Sequence, residues 1–456
     1  MDIIALLQVL SQCLDQTSVR RLSVIVLAMV TMTGRITMLG ITRWAEKGGS
    51  YRTIQRFYNS TIPWGMAMWL FFKTHLYKSG TEYLLVGDES VITKAGKKTH
   101  GLDRFFSSIF SRPVAGLAFF ALSLVSVDER KSYPLLVEQV IRSEEEKAAA
   151  KQKKAKKATK KGKSSKKKGK RGRPKGSKNK DKRQIEWNEE LRRVERMACT
   201  LIQRVNPLCP LRYFVLDGHF GNNNVMQMVR QCLSLHLVCK LRHDSALYFL
   251  YDGPQKPTGR KRIYGSKIKY DNIPSQYLVQ TSRQDDIQTD VYQAIMLHKS
   301  FADPINVVIL VKTNLSTQKR AHVVLCSSDL DLAYDKLIDY YQLRFQIEFN
   351  FRDAKQFWGF EDFMNVKQTP VTNAVGLSFF MVNFSQRLLA HFGSPLGAAI
   401  PNFSLLDLKA VFRARRYALE TLKLLPDPVD PILIDQILDV MPSLGSIHAQ
   451  HSHLAT

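Results

Sequence analysis

Residues 341–355 read YQLRFQIEFNFRDAK, a stretch without Gly or Pro whose spacing predicts one helix. Counted at about 100° per residue, Tyr341, Arg344, Glu348 and Lys355 fall at roughly 0°, 300°, 340° and 320°, inside one narrow arc. Leu343, Ile347, Ala354 and Trp358 fall at roughly 200° to 260° by the same count, an apolar stripe suited to a core. Beside that stripe run an acid, two cations and a phenol. A solvated face with an Arg344–Glu348 pair worth a few tenths of a kcal/mol would look the same. The choice between these readings rests on the rest of the chain.

At 456 residues the chain is long enough for more than one core, and two or three domains are expected. Its apolar fraction is ordinary, so the formal charge of +27 is the unusual feature. Between Lys147 and Arg183 stand twenty Lys or Arg and one acid, Asp181, a net +19 that leaves +8 for all other residues. A polyanion is the natural partner, and nucleic acid is the commonest. No lipidation motif or amphipathic anchor accompanies the basic run, so no membrane association is expected. The six cysteines are scattered and form no C-x-x-C pair, which indicates neither a zinc ribbon nor a disulfide scaffold. Leu22–Met32 is apolar but short and flanked by Arg20, Arg21 and Arg35, the pattern of a buried helix in a soluble, intracellular protein.

Residues 1–78 read as helical. Within them ITMLGITRWAEKGGSYRTIQRFYNS has a helix, a Gly48-Gly49 break and a second helix capped by Ser50, with Arg52, Gln55 and Arg56 on one face. A helix-turn-helix that enters a major groove has this shape, and so does an ordinary helical hairpin. Next come YLLVGDESVI, read as a strand ending at Asp88, and two further strands that turn near Asp128–Lys131. The lysine-rich segment 147–183 has no apolar periodicity and is expected to be disordered. A helix over IEWNEELRRVERMACTLIQRV, a strand ending at Asp217, a helix and a strand complete residues 82–242. Residues 243–330 look β-rich, with turns at Asp252-Gly253-Pro254 and Tyr264-Gly265. Residues 331–392 hold the opening helix and an apolar one. Residues 393–456 are further helix and tail.

The order is therefore three strands, helix, strand, helix, strand, with acids at the ends of the first and fourth strands. Phosphodiester cleavage needs a stabilised pentavalent phosphorus and an activated water or 3′-hydroxyl, and two Mg²⁺ ions about 3.5–4 Å apart supply both. Mg²⁺ takes hard oxygen ligands through few carboxylates, so two or three acids on rigid elements suffice. Asp88 and Asp217, with Glu348 from a packed helix, make such a set. Singly, either Asp reads more readily as a turn former or helix cap.

The stretches LVGDESVITKAGKKTHG, YFVLDGHFGN and YQLRFQIEFNFRDAK together resemble a DDE transposase, over about residues 20–425. The Tyr-x2-Arg-x3-Glu-x6-Lys helix is similar to the signature of one large bacterial insertion-sequence group. The resemblance implies an α/β fold: a ribonuclease H-like catalytic core interrupted by a β-rich insertion, with an N-terminal all-helical DNA-binding domain and C-terminal helices. It implies Asp88, Asp217 and Glu348 as catalytic metal ligands, Mg²⁺ as cofactor with Mn²⁺ as substitute, and Tyr341, Arg344 and Lys355 as DNA-binding residues. The implied activity is binding of terminal inverted repeats, strand cleavage and strand transfer by a homodimer on double-stranded DNA, in the bacterial cytoplasm and nucleoid. A catalytically retired DNA-binding descendant is the alternative.

Within the β-rich stretch, GRKRIYGSKIKY interleaves Arg260, Lys261 and Arg262 with Tyr264 and Tyr270, a composition suited to a DNA end with unstacked bases. An edge strand protected by lysines looks alike. In the lysine-rich segment, Arg171-Gly172-Arg173-Pro174 resembles an AT-hook core for an A·T minor groove. His219, two residues after Asp217, reads as a turn histidine.

Overall fold

In the computed structural model, residues 3–107, 110–146, 148, 181–397, 403–425, 430–441 and 447 are described. Five helices open the chain: α1 (Ile3–Leu7), α2 (Gln16–Thr31), α3 (Met38–Trp44), α4 (Tyr51–Tyr58) and α5 (Trp64–His75). Side-chain caps start three of them: Asp15, Thr37 and Ser50 accept from the backbone N–H of Ser18, Gly40 and Thr53, satisfying donors that a helix N-terminus leaves unpaired. α2 is the expected buried helix over Leu22–Met32. No helix among the described residues is long and apolar enough to cross a membrane.

Strands β1 (Tyr83–Thr93), β2 (Asp103–Ser107), β3 (Arg112–Ser126) and β4 (Lys131–Val140) follow. After the lysine-rich stretch come α6 (Glu189–Val205), β5 (Tyr213–Val215), α7 (Asn223–Cys232) and β6 (His236–Leu241). The stretch 243–330 supplies β7 (Leu247–Leu250), β8 (Tyr264–Lys267), β9 (Leu278–Gln284), β10 (Ile287–His298), β11 (Ile305–Asn314) and β12 (Arg320–Ser327). Helices α8 (Tyr334–Leu343), α9 (Gln346–Phe357), α10 (Gln368–Gly397), α11 (Leu405–Leu422) and α12 (Pro431–Val440) close the chain.

All twelve strands join one sheet, in the path β2-β3-β1-β5-β6-β12-β11-β10-β7-β8, with β4 also on β3 and β9 also on β10. β1–β5 and β5–β6 are parallel, while β12 joins β6 antiparallel. The β-rich stretch therefore extends the sheet that carries β1. β3 is buried from Gly116 to Ser126, as a strand covered on both faces must be. α6 buries Leu191, Val194, Met197, Ala198, Leu201, Ile202 and Val205, the i, i+3, i+4 spacing of an amphipathic helix. α9 packs over β4, β1 and β3, and buried Asn350 on it donates to the hydroxyls of Ser123 and Ser132.

Three local expectations are corrected. β1 does not end at Asp88: β3 offers partners out to Thr93↔Gly116, so the polar residues 88–90 stay in the ladder. Tyr264-Gly265 is not a turn but the start of β8, at an irregular register opposite Tyr248–Leu250. A Cβ at Gly265 would meet the Leu250 carbonyl oxygen at 2.8 Å, so a glycine suits this irregular pairing. Residues 341–355 are not one helix, because α8 and α9 meet in a turn at Arg344–Phe345. There Phe345, Ile347 and Glu348 bond to carbonyls three residues back, at 3.0–3.1 Å. Such tight turning advances about 120° per residue, so an even count of 100° fails across it. The apolar stripe survives: Leu343, Ile347, Ala354 and Trp358 are all fully buried.

Candidate active site

The two strand acids sit at matched positions. Val86 on β1 pairs in parallel with Val215 on β5, and each aspartate lies two residues further on. Side chains two apart on a strand share a face, and neighbouring strands lie about 4.8 Å apart. β5 ends at Val215 while β1 runs on to Thr93, so that edge of β1 is left without a parallel partner beside Asp88. A cleft of about 1050 Å³ opens there, and Asp88, Asp217, Arg344, Glu348 and Lys355 all line it.

Arg344 is the hub of this group. Its Nη1 donates to Asp88 Oδ2 at 2.6 Å and lies 3.9 Å from Glu348 Oε1. Asp88 Oδ1 accepts from the Glu89 N–H at 2.8 Å. Burial pushes the Asp88 carboxyl up to about 6; Arg344 opposes the shift, and the charges of Glu348 and Asp217 add to it. Asp88 thus feels the other two carboxylates across the cleft, with one guanidinium partly compensating. Asp217 caps the short 3₁₀ turn Gly218–Phe220 by accepting from the His219 N–H. Lys355 pairs with Glu361 at 3.4 Å and its Nζ donates to the Val91 carbonyl. Tyr341 does not line the cleft. It stands behind Arg344, whose guanidinium lies 5.9 Å from its ring centre.

Several cleft residues carried no signal in the sequence. Glu89, Arg142, Glu190, Arg193 and Phe106 also line it. His219 Nε2 meets Glu190 Oε1 at 3.0 Å, a contact that raises the imidazole pKa and lowers that of the carboxylate. Burial raises Glu89, and Glu190 raises it further. Phe106 stands exposed on β2 while its neighbour Phe105 is buried beneath the Arg142 guanidinium, 4.7 Å from the ring centre.

The other candidate residues lie elsewhere. On α4, Arg52, Gln55 and Arg56 are exposed while Ile54, Phe57 and Tyr58 are buried. Arg260, Lys261 and Arg262 are exposed in the loop before β8, with Arg262 stacked 4.4 Å from the Tyr251 ring centre. Tyr270 is turned inward, stacked on His322 at 4.4 Å and donating to the Ser245 carbonyl. Arg171 and Arg173 lie outside the described residues, as does most of 147–183. The flanking described residues are at the site: Glu146 lines the cleft, and Asp181 and Lys182 line an adjoining pocket with Glu190 and His219.

As ligands for a divalent cation, the residues fit in kind: three carboxylates supply only hard oxygen donors. Among the described residues, no group of three His, Cys, Asp or Glu side chains is gathered tightly enough to hold one ion. Asp88 is instead neutralised by Arg344.

The chain thus has a mixed α/β sheet in which an acid on one strand and an acid just beyond its parallel neighbour share a cleft with a third from a helix packed on the sheet. The sequence model of the DDE superfamily endonucleases matches residues 9–302, and the chain belongs to that family. DNA is the substrate the family implies, and divalent metal ions are its general cofactor. The matched span holds Asp88 and Asp217 and ends before α8, so Glu348 lies beyond it. No curated protein matches the chain.

Proposed function

We propose that this endonuclease-family protein is an insertion-sequence transposase of the Tyr-x2-Arg-x3-Glu-x6-Lys group. On this reading it binds terminal inverted repeats, cuts there and joins the freed 3′ ends to target DNA. The observation that carries the reading is the convergence of Asp88, Asp217 and Glu348, from three separate elements, on one cleft that also presents Arg344 and Lys355.

Asp88, Asp217 and Glu348 would hold Mg²⁺, or Mn²⁺ in its place. Divalent ions bound there supply charge stabilisation at the pentavalent phosphorus and an activated oxygen nucleophile. The chain's own part is positioning. Arg344 and Lys355 neutralise the phosphates that flank the cut. Tyr341, packed behind Arg344, keeps the guanidinium aimed into the cleft. Arg344 has a further role between turnovers, as the countercharge that keeps Asp88 tolerable when no cation is present. Water attacks phosphorus and loses a proton, the 3′ oxygen leaves with the electron pair and takes up a proton, and the resulting 3′-hydroxyl then attacks a target phosphodiester in the same cleft, displacing that target strand's 3′ oxygen, which leaves as a hydroxyl.

DNA is gripped away from the cleft by Arg52, Gln55 and Arg56 on α4 and by Arg260, Lys261 and Arg262 before β8. The domain arrangement that goes with this is 1–78 for DNA binding, 82–242 and 331–392 for the core, 243–330 as insertion and 393–456 as C-terminal extension. The strand order β4-β3-β1-β5-β6 supports the ribonuclease H-like reading of that core. The protein acts in the bacterial cytoplasm, on the nucleoid, with Arg171, Arg173 and the surrounding lysines adding sequence-tolerant, salt-sensitive attraction to DNA.

One observation favours a second reading, a retired transposase that binds DNA without cutting it: the acids are not gathered into a ready metal cluster. Incubating the protein and Mg²⁺ with a supercoiled plasmid bearing the element's ends separates the two. Cutting at the ends, abolished by EDTA, is the expected result. Tight end binding by a folded protein that leaves every strand intact would establish the retired binder instead.

A further inference from the structure

We propose that a basic pocket beside the acid cleft binds backbone phosphates of the DNA that flanks the element, on the far side of the cut. This site deepens the transposase reading above and rests on it. The pocket has a volume of about 280 Å³, and its lining includes Lys97, Lys98, Thr99, Asp103 and Arg142. Arg142 also lines the acid cleft, so the two spaces share a wall.

Charge suits the pocket to an anion. Lys97 and Lys98 are exposed and have no acid partner among the described residues. The one carboxylate in the lining, Asp103, is already engaged: Oδ1 accepts from the Arg104 N–H at 2.7 Å, and Oδ2 lies 3.6 Å from Arg142 Nη1. Three cations against one acid leave a net +2. The backbone N–H groups of Lys97, Lys98 and Thr99 bond to no acceptor among the described residues. Successive N–H groups in a turn, beside cationic side chains, match the oxygens of a phosphate.

The turn that carries the lysines is tied down. Gly101 has φ +70°, in the left-handed region, and a Cβ there would clash with the Gln139 amide. That amide donates to the His100 carbonyl at 2.7 Å, and the His100 N–H donates to the Val366 carbonyl at 2.8 Å. Just upstream, Lys94 Nζ donates to the Glu361 and Phe363 carbonyls. The turn is thus fastened to β4 and to the loop after α9, so its backbone pays little ordering entropy when a ligand arrives.

Position selects the flank. The sheet path sets β2 and β8 at opposite ends, with β1 and β5 between them. Arg260, Lys261 and Arg262, taken above as a grip on DNA, precede β8, whereas the pocket joins the start of β2 to the residues after β4. A duplex whose element end is held by the first group and cut in the cleft runs on over the second.

Fluorescence anisotropy on the full chain in EDTA, where nothing is cut, compares two duplexes: the bare element end and the same end extended by flanking DNA. Lys97→Ala/Lys98→Ala should bind the flanked duplex at least roughly tenfold more weakly, with a salt slope shallower by about 1.8, two phosphates at about 0.9 each. Binding to the bare end should not change, nor should the melting curve, because both side chains are exposed. Lys97→Arg/Lys98→Arg should keep wild-type affinity for both. An equal loss on the two duplexes, or no loss on the flanked one, would overturn the proposal. So would a loss confined to the joining of bare ends to a target plasmid with Mg²⁺, which would give the pocket to target DNA. A wild type that prefers neither duplex over random sequence would instead overturn the transposase reading, and the flank site with it.

Discussion

Glu348→Gln is expected to cost roughly a thousandfold in end cleavage, about 4 kcal/mol of transition-state stabilisation, while leaving the protein folded and bound to DNA. The size follows from chemistry. An amide is nearly the same shape as the carboxylate but carries no charge, so a hard cation loses one of three anionic ligands. The selectivity follows from structure. Glu348 is 46% exposed and, among the described residues, its one ion pair is the 3.9 Å contact to Arg344. So long a contact to a half-exposed acid is worth only about 0.2–1 kcal/mol, so the melting temperature should barely move. Cleavage rates and end-binding affinity measured side by side check both halves. A variant that cuts as fast as wild type would remove Glu348 from the site, and one that no longer folds would make the residue structural.

Asp88→Asn, by contrast, should raise stability above neutral pH. With the native carboxyl raised to about 6 from its ordinary 3.8, the folded state holds the proton more tightly than the unfolded state does. Stability therefore falls as pH rises from about 4 to about 6, and above that window the ionised group costs up to about 3 kcal/mol. Asn mimics the protonated form, so in EDTA at pH 7.5 the variant should melt several degrees higher than wild type. The gap should close towards pH 4. Cleavage should be lost at the same time, since the unfavourable charge is the one a cation would use. Lower stability of the variant at pH 7.5 would mean that the Arg344–Asp88 pair outweighs the burial of the carboxylate.

Local pattern carried the reading of individual elements further than their assembly. The strand runs before Asp88 and Asp217 and the apolar stripe Leu343, Ile347, Ala354, Trp358 were legible because burial imposes fixed periods on a sequence. The turn at Arg344–Phe345 was not. Both residues keep right-handed helical angles, φ −50° and −60°, and neither Gly nor Pro marks the place. The extension of β1 past Asp88 was hidden because its support comes from Gly116–Phe120 on β3, a partner that Asp88, Glu89 and Ser90 give no hint of. Glu190 and Arg193 reach the cleft on α6, a hundred residues along the chain from Glu89, and Tyr341 falls behind Arg344 for the same reason: tertiary packing chose their places. The docking of β12 on β6, which brings Cys239 and Cys326 face to face with their sulfurs 3.4 Å apart, is likewise a long-range pairing with no local mark.

The central claim is that Asp88, Asp217 and Glu348 act together on a divalent cation. Isothermal titration of Mn²⁺ into the metal-free full chain at pH 7.5, repeated with Asp88→Asn and Glu348→Gln, measures this most directly. Saturable binding to wild type, weakened at least tenfold in each variant, is the predicted result. Equal binding by all three proteins, or none by wild type with or without DNA, would contradict it.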